Sequence, residues 1–130
     1  MLTGWRVGFF VEGLGRRDTP ALRAACREEV TRYQASGELW VLTHEERPVS
    51  CFNFNARLPD VVQIGGVWTP PGLRGRGYAR AVVAGALELE RQAGVKRALL
   101  FTDPENRAAQ AAYEAIGFHL IGDCGLVLLE

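Results

Sequence analysis

The stretch Thr69-Pro-Pro-Gly-Leu-Arg-Gly-Arg-Gly-Tyr-Ala79 sets three glycines and two arginines between a β-branched apolar run and a helical pattern. Glycines at such a bend let successive backbone N–H groups converge on one concavity, and the helix start adds partial positive charge. Arg74, Arg76 and Arg80 would add full charges around it. This is chemistry for a phosphate. A P-loop needs Lys before Ser or Thr, but Tyr78 follows Gly77. A dinucleotide fingerprint runs Gly-x-Gly-x-x-Gly, whereas Gly72, Gly75 and Gly77 show the reverse spacing. Starting at Gly75 would put bulky Arg80 where close helix–strand packing needs a small residue. A nest of bare amides at Gly75 and Gly77 needs only the bend and the helix start, and it suits a pyrophosphate.

Asn106 and Tyr113 stand seven residues apart in the later helical pattern. Seven residues make two helical turns, so both fall on one face, roughly 10 Å apart along the axis. That spacing suits two contacts along one extended ligand. Asn106 would equally serve as a helix N-cap, and Tyr113 as a core tyrosine with a satisfied hydroxyl. His44 and His119 receive no role, and the arginines at 16, 17, 23, 27 and 32 read as solvated helix-face charges.

The elements that must position these residues are legible in outline. Residues 5–14 fit two patterns: Trp5, Val7, Phe9 and Val11 alternate as in a strand, while Val7, Phe10, Val11 and Leu14 have helical spacing, and helix is favoured. A helix follows over 18–37, capped by Asp18 or Thr19, with Pro20 in its first turn and Gly37 as its stop. Three strands are expected at 39–44, 49–58 and 61–69, joined by turns at 45–48 and 59–60. Ala79, Val82, Val83, Ala86 and Leu87 form the core stripe of a helix ended by Gly94. Arg97–Thr102 reads as a buried strand. Pro104 and Asn106 open a helix that Gly117 closes, and 118–129 reads as a final hairpin around Gly122 and Gly125. The fold class is α/β, a mixed, largely antiparallel central sheet with flanking helices and a crossover after each of two strands.

Composition narrows the function. The 130 residues suit one domain over 1–130, and 48% apolar content supports a real core. Equal numbers of acidic and basic residues, 15 each, argue against general nucleic-acid binding. Apolar runs fall short of the roughly 18 residues of a membrane span, and the N-terminus lacks the pattern of a signal peptide. Three widely spaced cysteines, Cys26, Cys51 and Cys124, suit reduced thiols in the cytoplasm, acting as small buried hydrophobes and forming no metal site.

Two motifs resemble those of the GNAT superfamily of acyl-CoA-dependent N-acetyltransferases. Arg74-x-x-Gly77-x-Ala79 is similar to its (Arg/Gln)-x-x-Gly-x-(Gly/Ala) motif. The run from Asn106 through Ala109 and Tyr113 to Gly117-Phe118 is similar to its second signature. The resemblance implies that the pyrophosphate of acetyl-CoA lies on the backbone from Arg74 to Arg80, taking in Gly75, Arg76, Gly77, Tyr78 and Ala79. It implies that the pantetheine arm runs beside Val67, Trp68 and Thr69, whose N–H groups would also polarise the thioester carbonyl. Asn106 would touch the arm, and Tyr113 would protonate the departing thiolate. Gly117 and Phe118 would be structural. Some members place a glutamate on the strand before the turn. Here Val61–Gly66 carries no carboxylate, leaving Asp60, Glu12 or a water chain to take the amine's proton.

The implied function is transfer of an acetyl group to a primary amine on a small molecule or peptide, with no metal. The alternative is a regulatory domain that binds acyl-CoA with little or no turnover, and a third possibility is another pyrophosphate nucleotide as ligand. Members usually begin with a strand. Trp5–Val11 could supply it; otherwise the chain reads as the C-terminal part of a longer protein. An exposed strand edge would permit a homodimer.

Overall fold

The computed structural model describes residues 1–102, 106–121 and 125–129, with the backbone alone for Leu120 and 125–129. Pro104, Gly122 and Cys124, used in the sequence expectations, lie outside the described residues. The chain divides into two compact units, Met1–Asn53 with Gly66–Ala79, and Phe54–Gly65 with Arg80–Glu130.

The first unit opens with α1 (Leu2–Gly8), which runs into a π-helical segment at Phe9–Gly13. The favoured helix at 5–14 is therefore present, with a widened last turn, and Trp5–Val11 is not a strand. Helix α2 (Pro20–Ser36) starts where local chemistry puts it. Thr19 Oγ1 accepts the Leu22 N–H at 3.1 Å, Pro20 needs no donor in the first turn, and Gly37 closes the helix with left-handed φ of 75°. Of the two candidate caps Thr19 does the work, while Asp18 pairs with Arg23. Val7, Leu22 and Cys26 bury together, with Phe10 packed against them.

Strand β1 (Leu39–His44) pairs antiparallel with β2 (Arg47–Leu58), from Leu39↔Asn53 to His44↔Arg47. The hairpin is tighter than the expected turn at 45–48. Glu45 and Glu46 alone make it, both left-handed at φ 52° and 66°. The ladder shifts register between Leu42 and Thr43, so that Thr43 faces Pro48, which has no N–H to donate.

Strand β3 (Val61–Trp68) pairs parallel with β4 (Arg97–Phe101) from Val61↔Arg97 to Ile64↔Leu100, a ladder that lies within the second unit. Parallel pairing demands a crossover, and α3 (Tyr78–Gln92) supplies it. Its buried stripe, Val82, Val83, Ala86 and Leu87, is the one its spacing predicts. Helix α4 (Arg107–Glu114) leads to β5 (His119–Leu120), which pairs antiparallel with β6 (Gly125–Leu129). β6 in turn pairs antiparallel with β4. The strand order β1-β2-β3-β4-β6-β5 makes the sheet mixed and largely antiparallel, as expected. Among the described residues, no helix is long and apolar enough to cross a membrane.

Candidate functional site

The glycine-rich turn folds as its composition requires. Pro70 and Pro71 lead β3 into one 3-10 turn, Pro71–Leu73, and Arg74 is extended. Gly75 and Gly77 then take φ of 80° and 81°, in the left-handed region that residues with a Cβ avoid. Tyr78 follows at once as the first residue of α3. A Cβ built on Gly75 would meet nothing within 4 Å, so the glycine answers a backbone need and not a steric one. Arg76 and Arg80 are exposed.

Arg74 has neighbours that its sequence context does not announce. Its Nε donates to the Thr69 carbonyl at 2.8 Å, closing the turn on itself. Both terminal nitrogens donate to the Glu12 carboxylate, and the guanidinium lies 4.7 Å from the centre of the Trp68 ring. Arg74 thereby ties the π-helical segment to the turn.

The strand end before the turn is anchored from β2. Ser50, fully buried, donates its Oγ–H to the Trp68 carbonyl at 3.0 Å and lies 2.9 Å from the Thr69 hydroxyl. A Cβ on Gly8 would fall 2.8 Å from the Trp68 ring, so α1 meets the indole through bare backbone. Val67 is half-buried. The ladder between β3 and β4 covers Val61–Ile64, and β3 continues to Trp68 past a left-handed Gly66 (φ 61°).

Asn106 caps α4: its Oδ1 accepts the Ala109 N–H at 3.1 Å, and the residue is exposed. Tyr113 is 7% exposed and meets Phe118 edge-on at 5.9 Å. Burial pushes its phenol up to about 12, so it holds its proton throughout the neutral range. Gly117 takes φ 109° after the last turn, and Phe118 is 2% exposed, matching their expected structural roles.

The two carboxylates considered as bases both face arginine. Glu12 is held by Arg74, and Asp60 Oδ2 lies 3.7 Å from Arg97 Nη2. His44 is exposed, near Glu45 and the Tyr78 ring, and His119 is exposed. Among the described residues, no cluster of His, Cys, Asp or Glu could hold a metal ion. Sequence reasoning missed Arg6, Glu29, Ser50 and Asn53, whose partners lie 18 to 47 residues away and leave no local signal.

Residues 5–118 match the acetyltransferase (GNAT) family. The chain belongs to that family. It is 46% identical over 48 residues to a mycothiol acetyltransferase of Beutenbergia cavernae, a match that covers 37% of this chain and 16% of that protein. Its fold resembles a ribosomal-protein-alanine N-acetyltransferase from Brucella melitensis (TM-score 0.70, 16% identity, 83% of this chain and 78% of that one). It also resembles a GNAT family acetyltransferase from Elizabethkingia anophelis with acetyl-CoA bound (TM-score 0.68, 13% identity, 79% and 82%). At these identities the solved structures bear on the fold.

Proposed function

We propose that this GNAT chain moves an acetyl group from acetyl-CoA to a primary amine on a small molecule or peptide. One observation carries the proposal. Gly75 and Gly77 adopt left-handed backbone immediately before α3, with open space over Gly75. That geometry fits a diphosphate, whose charge favours a helix N-terminus and whose oxygens need unhindered N–H groups. The backbone from Arg74 to Arg80 would hold it, with Arg76 and Arg80 beside it as solvated cations.

Acetyl-CoA supplies an activated acyl group whose leaving group is a thiolate. Val67, Trp68 and Thr69 would offer backbone groups to the amide-like arm, as a neighbouring strand would. Ser50 supports this role by fixing the Trp68 carbonyl from behind. Asn106 would donate its amide N–H to the arm while its oxygen caps α4. Tyr113 would donate its O–H towards the sulfur. Complete proton transfer from a phenol near 12 to a thiolate of ordinary basicity is uphill by roughly 5 kcal/mol. The phenol therefore acts as a hydrogen-bond donor that stabilises charge growing on sulfur, with transfer completed as solvent delivers a proton. With Glu12 and Asp60 both facing guanidinium groups, water takes the proton from the attacking amine.

The same engaged carboxylates favour a second reading, a domain that binds acyl-CoA with little or no turnover. Two measurements separate the readings. Acetyl-CoA should raise the melting temperature more than NAD or ATP at equal concentration. A thiol-reactive dye should then report free CoA when an amine panel is added. A melting shift without thiol release across the panel selects the binding domain, and no shift with acetyl-CoA defeats both.

A further inference from the structure

We propose that the first unit carries a subsite for a neutral carbonyl oxygen of the acceptor, with Asn53 and Trp68 as its donors. The proposal rests on the acetyltransferase reading. A small pocket, partly open to solvent, has Phe9, Val30 and Leu39 among its apolar walls and Arg6, Asn53 and Trp68 among its polar ones. All six belong to one compact unit.

Asn53 is 1% exposed. Arg6 fixes its orientation by donating Nη1–H to Oδ1 at 2.7 Å, which leaves the carboxamide nitrogen as the free end. That Nδ2 is buried with no hydrogen-bond partner, and so is the indole Nε1 of Trp68. Buried N–H groups without an acceptor cost stability, and most proteins avoid them. Asn53 and Trp68 both line the one pocket, and their unpartnered N–H groups suit an oxygen that arrives with a ligand. The surroundings are built to keep them there. Gly66 is left-handed, and a Cβ on it would overlap both Arg6 Nη1 and Asn53 Oδ1. The bare backbone of Gly8 gives the Trp68 ring its place.

Charge selects the kind of oxygen. Arg6 is neutralised by Glu29, whose Oε2 accepts from Nε at 2.8 Å. Cys51, also on the wall, is a neutral thiol, raised to about 11 by burial. A carboxylate would enter without a countercharge of its own, whereas an amide or ester carbonyl would not need one. The apolar walls suit a hydrocarbon body next to that carbonyl. Trp68 also ends the strand proposed to carry the pantetheine arm, so an occupant of this pocket would sit beside that strand.

The test uses three probes with one hydrocarbon body: leucinamide, leucine and 3-methylbutylamine, titrated calorimetrically into the full chain saturated with CoA. Leucinamide should bind at least 10-fold more tightly than 3-methylbutylamine, about 1.4 kcal/mol, and more tightly than leucine. Asn53→Asp keeps an oxygen for Arg6 but removes the donors, and it should shrink the amide preference to within about 2-fold. If that variant does not fold, Trp68→Phe removes the indole N–H, keeps a ring, and should shrink the same preference. Equal binding of leucinamide and 3-methylbutylamine would mean that the pocket holds only water, and would overturn the proposal. Tighter binding of leucine, or no binding of any probe, would overturn it as well. A chain that fails to bind CoA defeats the acetyltransferase reading instead, and the titrations repeated without CoA still report on the pocket.

Discussion

Arg74 and Glu12 join the glycine-rich turn to the π-helical segment through a two-pronged ion pair, although 62 residues separate them in sequence. Glu12 is thereby committed to a cation. Glu12→Gln should retain catalysis within about 3-fold and leave the acid limb of the kcat/KM profile where it was. The pair is half-exposed, so stability should fall by no more than about 1 kcal/mol. A 100-fold loss together with a vanished acid limb would make Glu12 the general base.

Gly75→Ala places a Cβ in open space on a left-handed backbone. The cost to folding should be about 1–2 kcal/mol, from strain alone. Acetyl-CoA affinity should fall more than 10-fold if the methyl enters the space proposed for the diphosphate. Thermal unfolding and calorimetry measure the two separately. Unchanged affinity would detach the turn from the ligand.

Tyr113→Phe should lower kcat by about 10- to 1000-fold with little change in acetyl-CoA affinity. The alkaline behaviour supplies an independent check. The folded-state phenol is raised above its ordinary value, so the folded chain holds this proton longer than the unfolded chain. The associated stability is complete below about pH 10 and disappears as pH rises through about 12, roughly 2–3 kcal/mol in all. The Phe variant should lose correspondingly less over that window. Equal losses in both proteins would mean that the buried phenol does not titrate as described.

What the sequence disclosed follows from the range of the forces. Helix α2 was readable because Thr19, Pro20 and Gly37 act on backbone within one turn. The glycine-rich turn was readable because its glycines are needed where the chain bends. The Glu45-Glu46 hairpin was blurred because neither residue favours left-handed backbone, and pairing with β1 imposes it. Residues 5–14 satisfied two periodicities, and packing of α1 on α2 decided between them. The ties of Arg6 to Glu29 and Asn53, and of Arg74 to Glu12, span 23 to 62 positions and appear only when the chain is folded.

Gly66→Ala tests the pocket wall. Its Cβ would overlap Arg6 Nη1 and Asn53 Oδ1 on a left-handed residue, displacing a half-buried guanidinium from its amide partner while the ion pair with Glu29 remains. The expected loss is about 1–3 kcal/mol in denaturant unfolding, from left-handed strain and one disturbed hydrogen bond. A loss below 1 kcal/mol would show that Arg6 does not need this contact.

The most direct test of the central claim is a crystal structure of the acetyl-CoA complex. Its diphosphate is predicted to lie against the main-chain N–H groups of residues 74–80, with Gly75 and Gly77 still left-handed. Diphosphate density elsewhere on the protein, or none at saturating acetyl-CoA, would contradict the account.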